Sequence, residues 1–310
     1  MLLADLEGNI NWLNEEWAVE KTWKAYEGGR VGYIETSLWD RKKGRIIVVT
    51  VGVSSIRCCD SPTEKELTPR TVQDDSSTPF PLLKVWLLTL PSAPSDPSTS
   101  SALSSPDLTL LRQTPVSPTA NRPSPVSSLA VSPSLSHIVV GLTDGNVVGW
   151  KRVDELIEAS VGDFDAAARA SENGAAGTSK SRDRNPQFNV GGMGKLRILS
   201  EGNKEPITNI GIADASSNSG TPTLFILTTS EILALPLPPS HGSSRHKTTT
   251  PTVLDDLGAA VGCAKIMRLG LGRGIGEDGE TAERMVVARE EAIYVYGSEG
   301  REGCWAYEGK

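Results

Sequence analysis

Aromatic side chains make up only 5% of this 310-residue chain, and its hydrophobic share is 38%, against about 45–50% in an ordinary globular domain. That length could bury a sizeable core and leaves room for two domains, so the shortfall must sit in particular segments. It falls in four. Residues 61–79 and 91–125 are rich in Ser, Thr, Pro and Asp, with few apolar residues except the short run Leu108 to Leu111; residues 163–189 are Ala, Ser and Gly with scattered charge; residues 236–251 hold Pro238-Pro239 and a Ser/Thr run. Such compositions bury too little apolar surface to offset the entropy of ordering them, so all four are expected to be disordered insertions. Their Ser-Pro and Thr-Pro pairs read as linker.

Other absences narrow the function. Cys58, Cys59, Cys263 and Cys304 have no zinc spacing and no histidine nearby, so metal ligands are not expected and the thiols read as free residues buried in strands. No apolar run nears the roughly 20 residues that cross a bilayer. Met1-Leu2-Leu3-Ala4 reaches Asp5 and Glu7 too soon for a secretory signal, so membrane contact is expected only through partner proteins. The net charge is -7 and there is no basic block, which argues against a nucleic-acid partner. Arg182 and Arg184 are the local exception and read as solvated linker.

Catalytic motifs are missing too. His137 precedes Ile138-Val139-Val140 and reads as a strand residue, while His241 and His246 lie in a polar loop. No nucleophile elbow or H-E-x-x-H appears, and the acid pairs Glu15-Glu16 and Glu290-Glu291 read as solvated turn charges. Gly274 to Gly279 formally matches G-x-G-x-x-G, but Glu277 and Asp278 would stand beside the phosphate. The segment after it, Met285-Val286-Val287-Ala288, is β-branched and short, where the dinucleotide motif needs a helix. No catalytic residue, cofactor or small-molecule ligand is expected.

What is present is a repeated hairpin. Ala25-Tyr26-Glu27-Gly28 returns as Ala306-Tyr307-Glu308-Gly309, each copy behind a turn, an alternating strand, a second turn and a tryptophan, Trp23 or Trp305. Repeats take precedence in assigning a fold. Val139 to Trp150 repeats the layout around Asp144-Gly145, which suits a two-residue loop with positive φ at both central positions. Leu224 to Leu235 has the same plan with a less ideal turn, and Ile46 to Val53 with Leu82 to Leu87 reads as another pair pushed apart by an insertion. Trp12, Trp86 and Trp150 fall late in outgoing strands, with Tyr294 and Tyr296 in that region of the last hairpin. These aromatics read as packing between neighbouring modules. The expectation is all-β: a WD40-like β-propeller of about five blades, incomplete, spanning 1–310.

The order of motifs adds a resemblance. It is carried by Asp5 to Ile10 with Ala25-Tyr26 and Arg30-Val31, Pro81 to Trp86, Val126 to Val131, Gly141 to Val147, Leu199 to Asn203, Pro206-Ile207-Thr208, Leu224 to Glu231, Ile293 to Tyr296 and Cys304 to Lys310. In that series the chain resembles the N-terminal propeller region of the vacuolar protein sorting-associated protein 11 (Pep5-type) family, subunits of the HOPS and CORVET tethering complexes. The resemblance implies a non-catalytic scaffold in endosome-to-vacuole (lysosome) transport and membrane fusion, cytoplasmic and peripheral on late endosome and vacuole membranes, with other HOPS/CORVET subunits as partners. Family members continue into an α-solenoid and a RING-type zinc module that this sequence does not include, so the implied zinc and ubiquitin-ligase chemistry does not carry over. Set against the family, the chain starts inside the first blade and stops before further strands, as a truncated form would. A generic WD-repeat-like adaptor of a coat or ligase, and a nucleotide-dependent enzyme built on the glycine run, are the competing readings.

Overall fold

In the computed structural model the described residues are 1–54, 80–91, 105–116, 124–173, 192–200, 205–214, 221–237, 250–256, 263–270, 281–289, 292–297 and 299–306. They form five antiparallel sheets, each a meander in chain order. The first holds β1 (Leu2–Ala4), β2 (Asn9–Leu13) and β3 (Val19–Lys24). The second holds β4 (Arg30–Asp40), β5 (Arg45–Ser54), β6 (Phe80–Thr89) and β7 (Asp107–Pro115). The third holds β8 (Val126–Val131), β9 (His137–Leu142), β10 (Val147–Lys151) and β11 (Arg197–Ser200), with α1 (Val153–Asn173) between the last two. The fourth runs through β12 (Asn209–Ala213), β13 (Thr223–Leu227), β14 (Glu231–Pro236) and β15 (Thr252–Asp256). The fifth runs through β16 (Cys263–Gly270), β17 (Thr281–Ala288), β18 (Ala292–Gly297) and β19 (Gly300–Ala306).

The first strands of successive sheets lie side by side, β1 by β4, β4 by β8, β8 by β12 and β12 by β16. This is the arrangement of an incomplete β-propeller of five blades. Cores sit between consecutive sheets. One cluster joins the first and second sheets through Ile10, Tyr26, Val48 and Trp86. The largest joins the second, the third and α1 through Val49, Leu87, Val140 and Trp150. Two more tie the third to the fourth and the fourth to the fifth. Middle strands are therefore covered on both faces, and β9 is buried at every position; such strands read as continuous apolar runs rather than alternations. The outermost strands β3 and β19 are largely exposed.

Counted from the outer edge, Trp12 in β2, Trp86 in β6, Trp150 in β10 and Tyr296 in β18 all stand on the penultimate strand. All four belong to or pack against the inter-sheet clusters. The aromatic equivalence read in the sequence is thus a packing equivalence. The separated pair Ile46 to Val53 and Leu82 to Leu87 is joined as β5 and β6, in register from Arg45 with Thr89 to Ser54 with Phe80.

The structure corrects several expectations. The Asp144-Gly145 loop has three residues, not two: Leu142 and Asn146 close it, and Gly145 alone has positive φ, at 84°. A three-residue loop ending in a left-handed residue is the next preferred hairpin connection. The β1–β2 loop is built the same way, with Gly8 at φ 83°. Residues 107–115 belong to β7, because Leu108 and Leu111 reach the inter-sheet clusters and the backbone pairs with β6. Residues 163–173 belong to α1, whose Val153, Ile157 and Val161 pack on Trp150 and Met193. Alanine-rich sequence extends a helix once an apolar face anchors it. Cys304 is exposed rather than buried, since it lies on an outermost strand; Cys263 starts β16, and Cys58 and Cys59 lie outside the described residues. So do the second copy of the repeat beyond Ala306, most of the glycine run, His241, His246, Arg182, Arg184, Glu290 and Glu291.

Replacing Trp150, 1% exposed, with alanine is expected to cost about 3–5 kcal/mol in urea denaturation. The same change at Trp305, 57% exposed, is expected to stay within about 0.5 kcal/mol. The second half of α1 is held by Arg45, which donates to both oxygens of Asp165 at 3.0 and 2.5 Å. These hydrogen bonds hold the Asp165 carboxyl below its ordinary value, with desolvation opposing them. Its contribution is therefore complete above about pH 4 and is lost as pH falls through the lower folded value. Asp165→Asn is expected to cost about 1–2 kcal/mol at pH 7, and the gap to wild type should narrow in melts as the pH is lowered through the acidic range.

Candidate interaction site

The chain leaving β3 enters the second sheet through the repeated tetrapeptide, and Tyr26 is the fastening. Its ring is fully buried. The hydroxyl meets Thr50 Oγ1 at 3.0 Å and reaches the Thr50 and Leu82 carbonyls at 3.1 Å. Thr50 Oγ1 also accepts from Trp86 Nε1 at 3.0 Å. Lys84 lies over the Tyr26 ring at 4.6 Å and donates to the Ala25 carbonyl at 2.6 Å. Burial pushes the phenol well above its ordinary pKa, the hydrogen bond to Thr50 opposing, so it stays protonated as a donor. Gly8 completes the junction. Its carbonyl accepts from both Ala25 and Tyr26 N–H at 2.9 Å, and a Cβ there would come within 2.4 Å of the Tyr26 carbonyl.

Polar links continue around the arc. Ser37 Oγ in β4 donates to the Pro133 carbonyl in the β8–β9 loop at 3.3 Å. The next residue, Ser134, donates from N and Oγ to Asp214 after β12, at 2.8 and 3.0 Å. The Asp214 N–H in turn donates to Glu283 in β17 at 2.6 Å. Second to fifth sheets are thereby joined through a series of side-chain and backbone bonds. At the outer side, Tyr296 of β18 donates to Asp255 of β15 at 3.0 Å.

His137, expected as a strand residue, is the first residue of β9 and 2% exposed. Its Nδ1 meets Ser136 Oγ at 2.9 Å, and Ser136 meets Ser134 at 3.0 Å. An Asp, hydroxyl and imidazole chain therefore exists, but Ser132, Ser136 and His137 are walled from solvent. Buried polar groups satisfied in this way specify packing. Among the described residues no group of three His, Cys, Asp or Glu could hold a metal ion. β17 begins at Thr281, so a strand follows the glycine run where a dinucleotide site needs a helix.

A cavity of about 860 Å³ opens where the first three sheets meet, lined by Leu6, Arg30, Tyr33, Val53, Pro81 and Pro125 among others. Gly29 lets the β3–β4 connection lie against β5, since a Cβ there would fall 1.7 Å from the Val53 carbonyl. Its walls are largely apolar, with the Arg30 guanidinium among them. The sequence reading flagged Tyr26 only as part of a repeat. Ser134 and Asp214 left no signal, because their partnership is made by two sheets meeting. Tyr26→Phe is expected to lower stability by about 1–3 kcal/mol, because the buried oxygens of Thr50 and Leu82 then lose a donor. Guanidinium denaturation at pH 7 checks this.

Comparisons with known proteins complete the description. No curated protein matches the sequence. Among solved structures, the β-propeller domain of Cps50 (Swd1) from Myceliophteria thermophila is similar at 9% identity and a TM-score of 0.35, covering 98% of this chain and 81% of that one. The sequence model of the PEP5/VPS11 N-terminal family matches residues 1–310. With a match along its whole length and five propeller-type meanders, the chain belongs to the PEP5/VPS11 N-terminal family.

Proposed function

We propose that this chain is a non-catalytic scaffold of a HOPS/CORVET-type tethering complex, acting in endosome-to-vacuole (lysosome) protein transport and membrane fusion. Family membership over residues 1–310 is the observation that carries the reading. The architecture is consistent with it. The buried Tyr26 and Thr50 side chains are spent on fastening sheets, and a cavity of about 860 Å³ opens where three sheets meet. No helix among the described residues is long and apolar enough to cross a membrane. Association with late endosome and vacuole membranes would then come through the other subunits of the complex, from the cytoplasmic side. The family match favours this reading over a generic WD40-like adaptor of another assembly.

The test is affinity purification of the tagged chain from its own cells, with quantitative mass spectrometry of what it retains. Joint enrichment of the remaining HOPS/CORVET subunits over a mock purification is the expected result. Retention of coat or ubiquitin-ligase subunits in their place would overturn the proposal.

A further inference from the structure

The loop between β2 and β3 repeats the loop between β1 and β2 nearly bond for bond. In the first, Asp5 N donates to the Asn9 carbonyl at 3.0 Å, and Asp5 Oδ1 accepts from Glu7 and Asn9 N–H. In the second, Asn14 N donates to the Ala18 carbonyl at 3.0 Å, and Asn14 Oδ1 accepts from Glu16 and Ala18 N–H. The third loop residue is left-handed in both: Gly8 at φ 83° in one, Trp17 at φ 65° in the other. Glycine takes that conformation freely, while a bulky side chain there is a strained exception. Trp17 gains little burial in return, being 69% exposed. Backbone strain without compensating packing motivates a search for function at the residue.

Trp17 stands at a groove of about 610 Å³ floored by Trp12 and Leu13 and edged by Glu15 and Glu20. Val19, paired with Leu13 across the strands, is 57% exposed and extends the apolar surface. Glu15, Glu16 and Glu20 are exposed and make no ion pair among the described residues. The neighbouring cations are already committed. The Met1 ammonium donates to the Leu13 carbonyl at 2.7 Å, and Lys21 donates to the Pro106 carbonyl at 2.6 Å while lying over Trp23 at 5.2 Å. Elsewhere in the molecule Lys84 sits over Tyr26 and Trp86, whereas the Trp17 indole has no cation over it among the described residues.

We propose that the β2–β3 loop is a docking site for a protein partner through a segment that combines apolar side chains with Lys or Arg. The apolar residues would cover Trp12, Leu13 and Val19 in the groove. A cationic side chain would stack on the Trp17 indole within reach of Glu15 and Glu20, a geometry in which ring face and carboxylates both attract it. A second copy of this chain is a poor occupant, because the net charge of -7 makes two copies repel. An anionic lipid surface is disfavoured by the same three carboxylates. The site goes beyond the tethering-complex reading and does not depend on it.

The test uses the full chain and a fluorescein-labelled amphipathic peptide of Leu, Lys and Arg, with a counterpart carrying Glu at every basic position. Fluorescence anisotropy is expected to show salt-sensitive binding of the basic peptide only, weakened about tenfold by Trp17→Gly and further by adding Glu15→Gln and Glu20→Gln. Trp17→Gly should also melt at or above the wild-type temperature, since it removes the left-handed strain; Trp17→Asn, which tolerates that backbone, should behave alike. Equal binding of both peptides, unchanged affinity in Trp17→Gly, or Trp17-dependent sedimentation with phosphatidylserine vesicles would each overturn the proposal. So would a lowered melting temperature in both Trp17 variants, which would assign the indole to packing.

Discussion

Every sheet in this protein depends on the sheet beside it. A single hairpin or a lone small meander is marginal in water, and it becomes stable only when an apolar face is covered. Here that cover comes from the next meander along the arc. Val48 and Leu88 of the second sheet meet Ile10 of the first and Tyr26 of the β3–β4 connection, while Val49 and Leu87, on the opposite face, meet Val140 and Trp150 of the third. In the second, third and fourth sheets the middle strands thus serve two cores at once. Cutting at any one junction would expose apolar surface on both sides, so the cost is shared along the chain in the manner of a repeat array.

Apolar contact alone does not set how two sheets register, because greasy surfaces slide. Directional bonds at the junctions do. Tyr26 reaches the backbone of both β5 and β6, and Ser134 and Asp214 tie the third sheet to the fourth. The Tyr26 hydroxyl and its partners are buried and mutually satisfied, so shifting that junction would strand donors and acceptors away from water at a cost of several kcal/mol; Ser134 is exposed, and its bonds to Asp214 add direction at the surface.

Much of the architecture was legible in residue order. The hairpins around Asp144-Gly145 and Thr229-Ser230, the split pair β5 and β6, and the shared strand position of Trp12, Trp86, Trp150 and Tyr296 all follow from alternation, turn residues and aromatic spacing. Those signals are local. The misreadings came where composition was allowed to speak for context. Thr- and Pro-flanked residues 107–115 form a strand because β6 offers a paired edge, and Ala-rich residues 163–173 form helix because the preceding turns are anchored on Trp150. The two-residue turn at Asp144 failed for a subtler reason. Asp-Gly is compatible with more than one loop length, and the register is decided by how the flanking strands pack.

The candidate sites divide along the same line. Trp17, Glu15, Glu16 and Glu20 are neighbours in sequence, yet nothing in that order marks the tryptophan as left-handed and exposed; the loop's hydrogen bonds do. Tyr26 announced itself by repetition, but its partners Thr50 and Leu82 lie 24 and 56 residues away. Periodicity and turn chemistry by themselves determined the class, the number of meanders and the place of the aromatics, because those are properties of single strands and adjacent pairs. Which sheets touch, which loops they order and which side chains are left facing outward were decided only in three dimensions, because burial is a relation between segments distant in the chain.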